Sequence, residues 1–203
     1  MEPPSSSHDS TGKGAWQQPS LAEMEALLPQ FQFVELIGRG GMGAVYKAIQ
    51  VSLNRPVAIK VLPAPVLDDL EARSAARFRQ EALTLAKLTH PGIVTVYESG
   101  EAGGLPYIVM EFIEGTDVAR IIQSAGRMEP NFAITGLSQV CEALEYAHQN
   151  GVIHRDIKPA NLLITRAGRV RTADFGLAKQ HGDVLPGLTK SNVAVGTPDF
   201  LAP

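Results

Sequence analysis

The chain has 203 residues, 44% of them apolar, which suffices for a sizeable core in one or two domains and excludes a disordered or fibrous protein. Its 18 Lys and Arg against 21 Asp and Glu give a net charge of −3, so no general basic field exists to recruit nucleic acid or an anionic membrane, and recognition must come from a local site. One cysteine excludes an internal disulfide framework, no apolar run approaches the ~18 residues of a membrane span, and the amino terminus lacks a signal-peptide pattern.

Residues 1–20 are rich in Ser, Pro, Gly and Gln, with Trp16 as the only large apolar side chain. Such a stretch cannot bury enough surface to offset its ordering entropy, which predicts a disordered tail. A short helix over 21–28, ended by Pro29, completes a disordered or weakly structured segment 1–30. From Phe31 to Ile37 the residues alternate and are rich in β-formers; a glycine turn through Gly43 follows, and Ala44 to Ile49 alternates again. A third strand, Val57 to Leu62, completes an antiparallel meander. Over 68–88 the apolar positions Leu70, Phe78, Leu85 and Leu88 predict a helix capped by Asp68 or Asp69 and carrying Glu81. His90-Pro91-Gly92 breaks the chain before two more strands, 93–98 and 105–112.

Beyond Gly115 the pattern turns helical. A short helix is predicted over 116–125 and a long one from Pro130, a residue suited to a first helical turn. The apolar face of the long helix reads Phe132, Ile134, Leu137, Val140, Cys141, Leu144 and Ala147, with Cys141 as a buried structural thiol and Gly151 as the stop. Two short strands are expected around the turn 166–169, and 174–203 reads as a long loop punctuated by glycine and proline. A β-rich lobe followed by a helical one is an α+β arrangement, and such a boundary commonly holds a ligand cleft.

Several short stretches carry chemistry. His154-Arg155-Asp156-Ile157-Lys158-Pro159-Ala160-Asn161 combines an imidazole, two cations, a carboxylate and an amide, and its proline forbids helix continuation. Such a loop can hold a hydroxyl, a phosphate and a metal ion together. Gly38-Arg39-Gly40-Gly41-Met42-Gly43-Ala44-Val45 fits G-x-G-x-x-G. A strand follows it where a dinucleotide fingerprint needs a helix, and Ala44 stands where a P-loop needs lysine; a glycine-rich flap able to approach phosphates remains. Lys60 reads either as a solvated strand lysine or, if Glu81 pairs with it, as a cation presented to phosphates. Asp174-Phe175-Gly176 adds a carboxylate able to share a Mg²⁺ with Asn161. Neither zinc spacing nor a G-x-S-x-G elbow is present.

Taken in order, the glycine flap, Val57-Ala58-Ile59-Lys60, Glu81, the 154–161 loop and Asp174-Phe175-Gly176 resemble the signature of a bacterial serine/threonine protein kinase of the eukaryotic-like type. The resemblance covers nearly everything after residue 30. It implies a two-lobed kinase-like fold: a five-stranded antiparallel amino-terminal lobe with one main helix and the hinge over 31–114, then a helical carboxy-terminal lobe over 115–203. It implies ATP and Mg²⁺, protein substrates with Ser or Thr hydroxyls, and a catalytic set of Asp156, Lys158, Lys60 and Glu81. Ile37 to Val45 would cover the phosphates, with Val45, Ala58 and Leu163 around the adenine. Glu111 and Ile113 would bind the adenine edge by their backbone, Met110 would be the gatekeeper, and Asp117 would reach the ribose. Asn161 and Asp174 would hold Mg²⁺, and Thr197 would join Lys158 at the transferring phosphate.

Arg155 resembles the arginine that pairs with a phosphorylated activation loop, which makes Thr189 and Ser191 candidate phosphosites and allows trans-autophosphorylation in a dimer. The sequence ends at Leu201-Ala202-Pro203, within the family's Ala-Pro-Glu, so a truncated kinase domain is expected, with the apolar face of the long helix partly uncovered. A cytoplasmic location is expected, with a membrane anchor beyond Pro203 left open. The alternatives are a nucleotide-binding module without transfer activity and an inert fragment.

Overall fold

The computed structural model describes residues 16–40, 43–63, 82 and 85–175. Helix α1, Leu21–Leu27, opens with a capping box: the Ser20 hydroxyl accepts from the Glu23 amide and the Glu23 carboxylate accepts from the Ser20 amide. Strands β1 (Phe31–Gly40), β2 (Gly43–Gln50), β3 (Arg55–Val61), β4 (Val96–Ala102) and β5 (Leu105–Glu111) form one antiparallel sheet in the order β1-β2-β3-β5-β4.

One face of this sheet buries Phe31, Phe33, Tyr46, Val57, Ile59, Val61, Tyr107 and Val109 against Met24 and Leu28 around α1. Trp16 packs on the same cluster, and the Tyr46 hydroxyl donates to the Pro19 carbonyl at 2.6 Å. Among the described residues packing thus reaches back to Trp16, inside the tail expected over 1–20. Composition misses this because a few apolar side chains, Trp16, Met24 and Leu28 among them, and one cap suffice to dock so short a helix on an apolar sheet face.

The opposite face carries Ala58, Ile108 and Met110, packed on Leu85, Leu88, Ile93 and Val94. Of the helix expected over 68–88, residues 82 and 85–88 are described: Ala82 and Leu85 are helical and buried, Ala86 and Lys87 form a turn, and Leu88 is buried beyond it; its proposed caps, and Glu81, lie outside the described residues. The fourth strand was expected at 93–98 but starts at Val96, because Ile93 forms a parallel bridge with Thr172 instead.

A second antiparallel sheet follows, β6 (Gly115–Asp117), β7 (Leu162–Thr165) and β8 (Val170–Thr172), in that order. Strand β6 occupies the start of what was expected to be helix. A Cβ on Gly115 would lie 1.9 Å from the Ile164 carbonyl oxygen, so only glycine permits this pairing. Helix α2, Val118–Ala125, then begins on the Asp117 carboxylate, which accepts from the Arg120 amide.

Helix α3, Pro130–Gln149, is capped by Glu129 and ends before Gly151, whose φ of 75° suits its role as the stop. Its buried stripe is Val140, Ala143 and Ala147, with Leu144 partly covered. Ile134 and Leu137 are 68% and 62% exposed, in line with the expectation that this apolar face is partly uncovered, whereas Cys141, expected as a buried thiol, is exposed with them. The three lie on the neighbouring stripe, and small alanines decide which stripe turns inward: a Cβ on Gly92 would touch Ala143 at 3.0 Å, so no larger side chain fits there.

Met24 is almost wholly buried between α1 and the sheet, so Met24→Ala should lower unfolding free energy by about 2–5 kcal/mol in a urea melt. A loss below about 0.5 kcal/mol, the range of surface substitutions, would show that α1 does not belong to the folded body.

Candidate active site at the junction of the sheets

Lys60 stands in a run of five consecutive buried residues on β3, and it is 5% exposed. Its Nζ lies 2.8 Å from Oδ1 of Asp174, across 114 positions of sequence. The pairing expected with Glu81 lies outside the described residues, and the observed partner is the second carboxylate of the motif set. Asp174 has a φ of 57°, a conformation that costs a non-glycine residue free energy and that concentrates at functional sites.

The 154–161 loop is held by an internal network. The Asp156 amide donates to Nδ1 of His154 at 3.3 Å, and Nε2 of His154 donates to the Ala173 carbonyl at 2.9 Å. His154 also packs on Phe175, ring centroids 4.4 Å apart. Nδ2 of Asn161 donates to the Asp156 carbonyl at 2.8 Å, and the Asn161 carbonyl accepts from the Ala173 amide at 2.9 Å. The buried Asp156 carboxylate pairs with Lys158 at 3.0 Å. Arg155, at φ 62°, takes the chain through the tight bend between His154 and Asp156. Loop and Asp174 are therefore fixed to each other through Ala173, and Lys60 reaches the pair from the other sheet.

The residues expected around a nucleotide fall together. Ala58 and Met110 belong to one buried cluster, against which Ile37, Val45, Ile113 and Leu163 pack as partly buried neighbours, although the six are spread over 127 positions of sequence. Gly38, Arg39 and Gly40 end β1, and Gly43 and Ala44 begin β2. Gly43 is required locally: its φ is +119° and a Cβ would lie 2.1 Å from the Val61 carbonyl oxygen. Asp117, expected at a ribose, caps α2 and pairs with Arg120 at 3.2 Å. Gly41, Met42, Glu81, Gly176, Thr189, Ser191 and Thr197 lie outside the described residues. Among the described residues no group of three or more His, Cys, Asp or Glu could hold a metal ion, and no helix is long and apolar enough to cross a membrane. Arg171, unremarked in the sequence, contacts both the hinge carboxylate of Glu111 and the Pro91 carbonyl.

The model of the family described as protein kinase domain matches residues 31–203. The chain is similar to the serine/threonine-protein kinase PknB of Mycobacterium tuberculosis, 41% identical over 181 residues, which is 87% of this chain and 29% of that protein. It is similar also to a probable serine/threonine-protein kinase of Streptomyces coelicolor, 38% identical over 187 residues, 90% of this chain and 28% of the relative. Among solved structures, the PknI kinase domain of M. tuberculosis superposes with a TM-score of 0.65 at 34% identity, covering 74% of this chain and 61% of that one. The chain thus spans less than a third of the length of these curated relatives.

Burial pushes His154 below its ordinary value of 6.5, against the opposing pull of the Ala173 carbonyl and of Asp174 and Asp156. Its contribution to stability is present in full above the ordinary value. Below that value the unfolded chain takes up a proton that the folded chain refuses, so stability falls as the pH drops through the window toward the lowered value. The urea midpoint of the parent should fall more steeply between about pH 7 and about pH 5.5 than that of His154→Gln; equal slopes would contradict a neutral buried imidazole.

Proposed function

The chain belongs to the protein kinase domain family, and from that premise we propose that it transfers the γ-phosphate of ATP to Ser or Thr hydroxyls of proteins. The observation that carries the reading is the Lys60–Asp174 pair at 2.8 Å, which brings a buried cation of the first sheet against the carboxylate fastened to the Asp156 loop. Phosphoryl transfer asks of a protein mainly positioning and charge neutralisation, and this set supplies both.

Asp156 orients the substrate hydroxyl and accepts its proton, and Lys158, which pairs with it at 3.0 Å, is the proposed cation at the transferring phosphate. Lys60 neutralises the α- and β-phosphates, and Glu81 is its proposed structural partner. The glycine flap 38–43 covers the phosphates. Gly40 supports this, because among the described residues a Cβ there would meet nothing within 4 Å, which leaves space beside it for a ligand. Val45, Ala58 and Leu163 enclose the adenine, Met110 bounds the pocket, and the Glu111 carbonyl and Ile113 amide bind its edge. Asp117 is the proposed ribose contact; its Oδ1 caps α2 and its Oδ2 pairs with the Arg120 side chain, so the ribose would share Oδ2 with that exposed guanidinium.

The donor set fits Mg²⁺. Asn161 spends its Nδ2 on Asp156, which leaves its Oδ1, and Asp174 supplies a carboxylate; two hard oxygens with phosphate oxygens suit this ion, which seldom needs a full protein cage. When bound it screens the phosphate charge. Thr189 and Ser191 are the proposed phosphosites, modified in trans between two copies, with Arg155 as the partner of the added phosphate. The kinase domain is proposed to work in the cytoplasm.

Two measurements test the reading: Mg·ATP binding, and phosphate transfer to a generic Ser/Thr substrate. The parent should do both, chelation of the metal should stop transfer, and Asp156→Asn should retain binding while losing transfer by about 10²–10⁴-fold. Binding without transfer in the parent would favour a nucleotide-binding module. Transfer by Asp156→Asn at the parental rate would remove Asp156 from its role. Phosphopeptide mapping of the active protein should find Thr189 or Ser191 modified; finding neither would dismiss that regulation.

A further inference from the structure

Arg171 carries none of the phosphate chemistry above, yet three segments of the chain meet at its guanidinium. It stands on β8 opposite Leu163, and its side chain is 15% exposed. One terminal nitrogen donates to the Pro91 carbonyl and the other to Oε2 of Glu111, forming an ion pair with the last residue of β5. Nε is buried and has no hydrogen-bond partner among the described residues. A carbonyl and a carboxylate on different segments can be joined in this way by the planar fork of arginine, whereas lysine offers one point charge.

The backbone around it is stitched at the same place. The Thr172 amide donates to the Gly92 carbonyl at 2.8 Å and the Val94 amide to the Thr172 carbonyl at 3.0 Å. Glu111 is held again by its own amide, which donates to the Thr95 carbonyl at 2.9 Å, and its Oε2 accepts from the Thr95 amide at 3.4 Å. The next residue is fastened from the other lobe: Nζ of Lys47, on β2, stands 4.8 Å above the Phe112 ring. Successive hinge side chains are thus gripped from the second sheet and from the first.

We infer that Arg171 is a positioning residue for base selectivity: by holding the Glu111 carboxylate it fixes the backbone from Glu111 to Ile113 against which the adenine edge packs. This rests on the kinase reading above. Lys60, Lys158, Asn161 and Asp174 serve the phosphate end, so the loss of Arg171 should fall on the base and spare the phosphates.

The test compares the full-length parent, Arg171→Ala, Arg171→Lys and the double variant Arg171→Ala with Glu111→Gln, titrated with Mg·ATP and with Mg·tripolyphosphate, which has no base. Arg171→Ala should weaken Mg·ATP and raise its KM by about tenfold, leave tripolyphosphate within about twofold, and change kcat less than KM, as expected when misplacement affects ground-state and transition-state binding alike. Arg171→Lys should recover part of the loss, and the double variant should bind no worse than Arg171→Ala alone. Parental ATP affinity in Arg171→Ala, or an equal loss for tripolyphosphate, would overturn the inference. Should Arg171→Ala fail to fold in a thermal melt, Arg171→Lys decides: a several-fold loss confined to ATP is expected, and parental selectivity overturns it. A parent that binds no Mg·ATP brings down the kinase reading and this inference together, whereas a parent that binds it beside an indifferent Arg171→Ala brings down the inference alone.

Discussion

An ammonium group buried in the middle of an apolar sheet is the constraint from which the rest follows. Lys60 lies among Val57, Ala58, Ile59 and Val61, all buried, and a cation there is tolerable only with an anion beside it. Asp174, from the segment after β8, supplies an anion, so among the described residues the lysine of the first sheet is paired from outside that sheet. The charge therefore ties the two sheets together across the space where a triphosphate is proposed to lie. A pair that is stable when formed and costly when broken holds the cleft ready, and its 37%-exposed carboxylate side chain leaves Asp174 open to the solvent side.

The loop beneath this pair is rigid for a different reason. Its polar groups are satisfied by each other: imidazole to backbone on both nitrogens, amide to backbone, carboxylate to ammonium. A fully satisfied buried network specifies one conformation, because any rearrangement would leave a donor or acceptor unpaired in a poor solvent. That stiffness maintains the left-handed turns at Arg155 and Asp174 and sets the Asp156 carboxylate in one place. For phosphoryl transfer, where the protein contributes placement more than covalent chemistry, such stiffness is itself functional.

Helix α3 shows how packing volume, more than hydrophobicity, orients an element. Two apolar stripes run along it, and the one bearing Ala143 and Ala147 faces Gly92 and the second sheet because only small residues permit that approach. Ile134 and Leu137 are the more hydrophobic and remain outside. At the amino terminus Met24, Leu28 and Trp16 pack on the sheet, although composition predicts a disordered tail as far as residue 20.

Motifs whose chemistry is local were legible from the sequence: the turn-forming glycines, the 154–161 loop, Asp174 beside Phe175, and the alternation that makes five strands. Each depends on residues a few positions apart, so spacing carries the information. That Lys60 meets Asp174, which stripe of α3 turns inward, and that Ile93 bridges Thr172 instead of starting a strand were decided only by the tertiary structure. Arg171 is the clearest case. No local motif singles it out, and its meaning comes from Pro91 and Glu111, 80 and 60 positions away, which only the tertiary structure brings within reach.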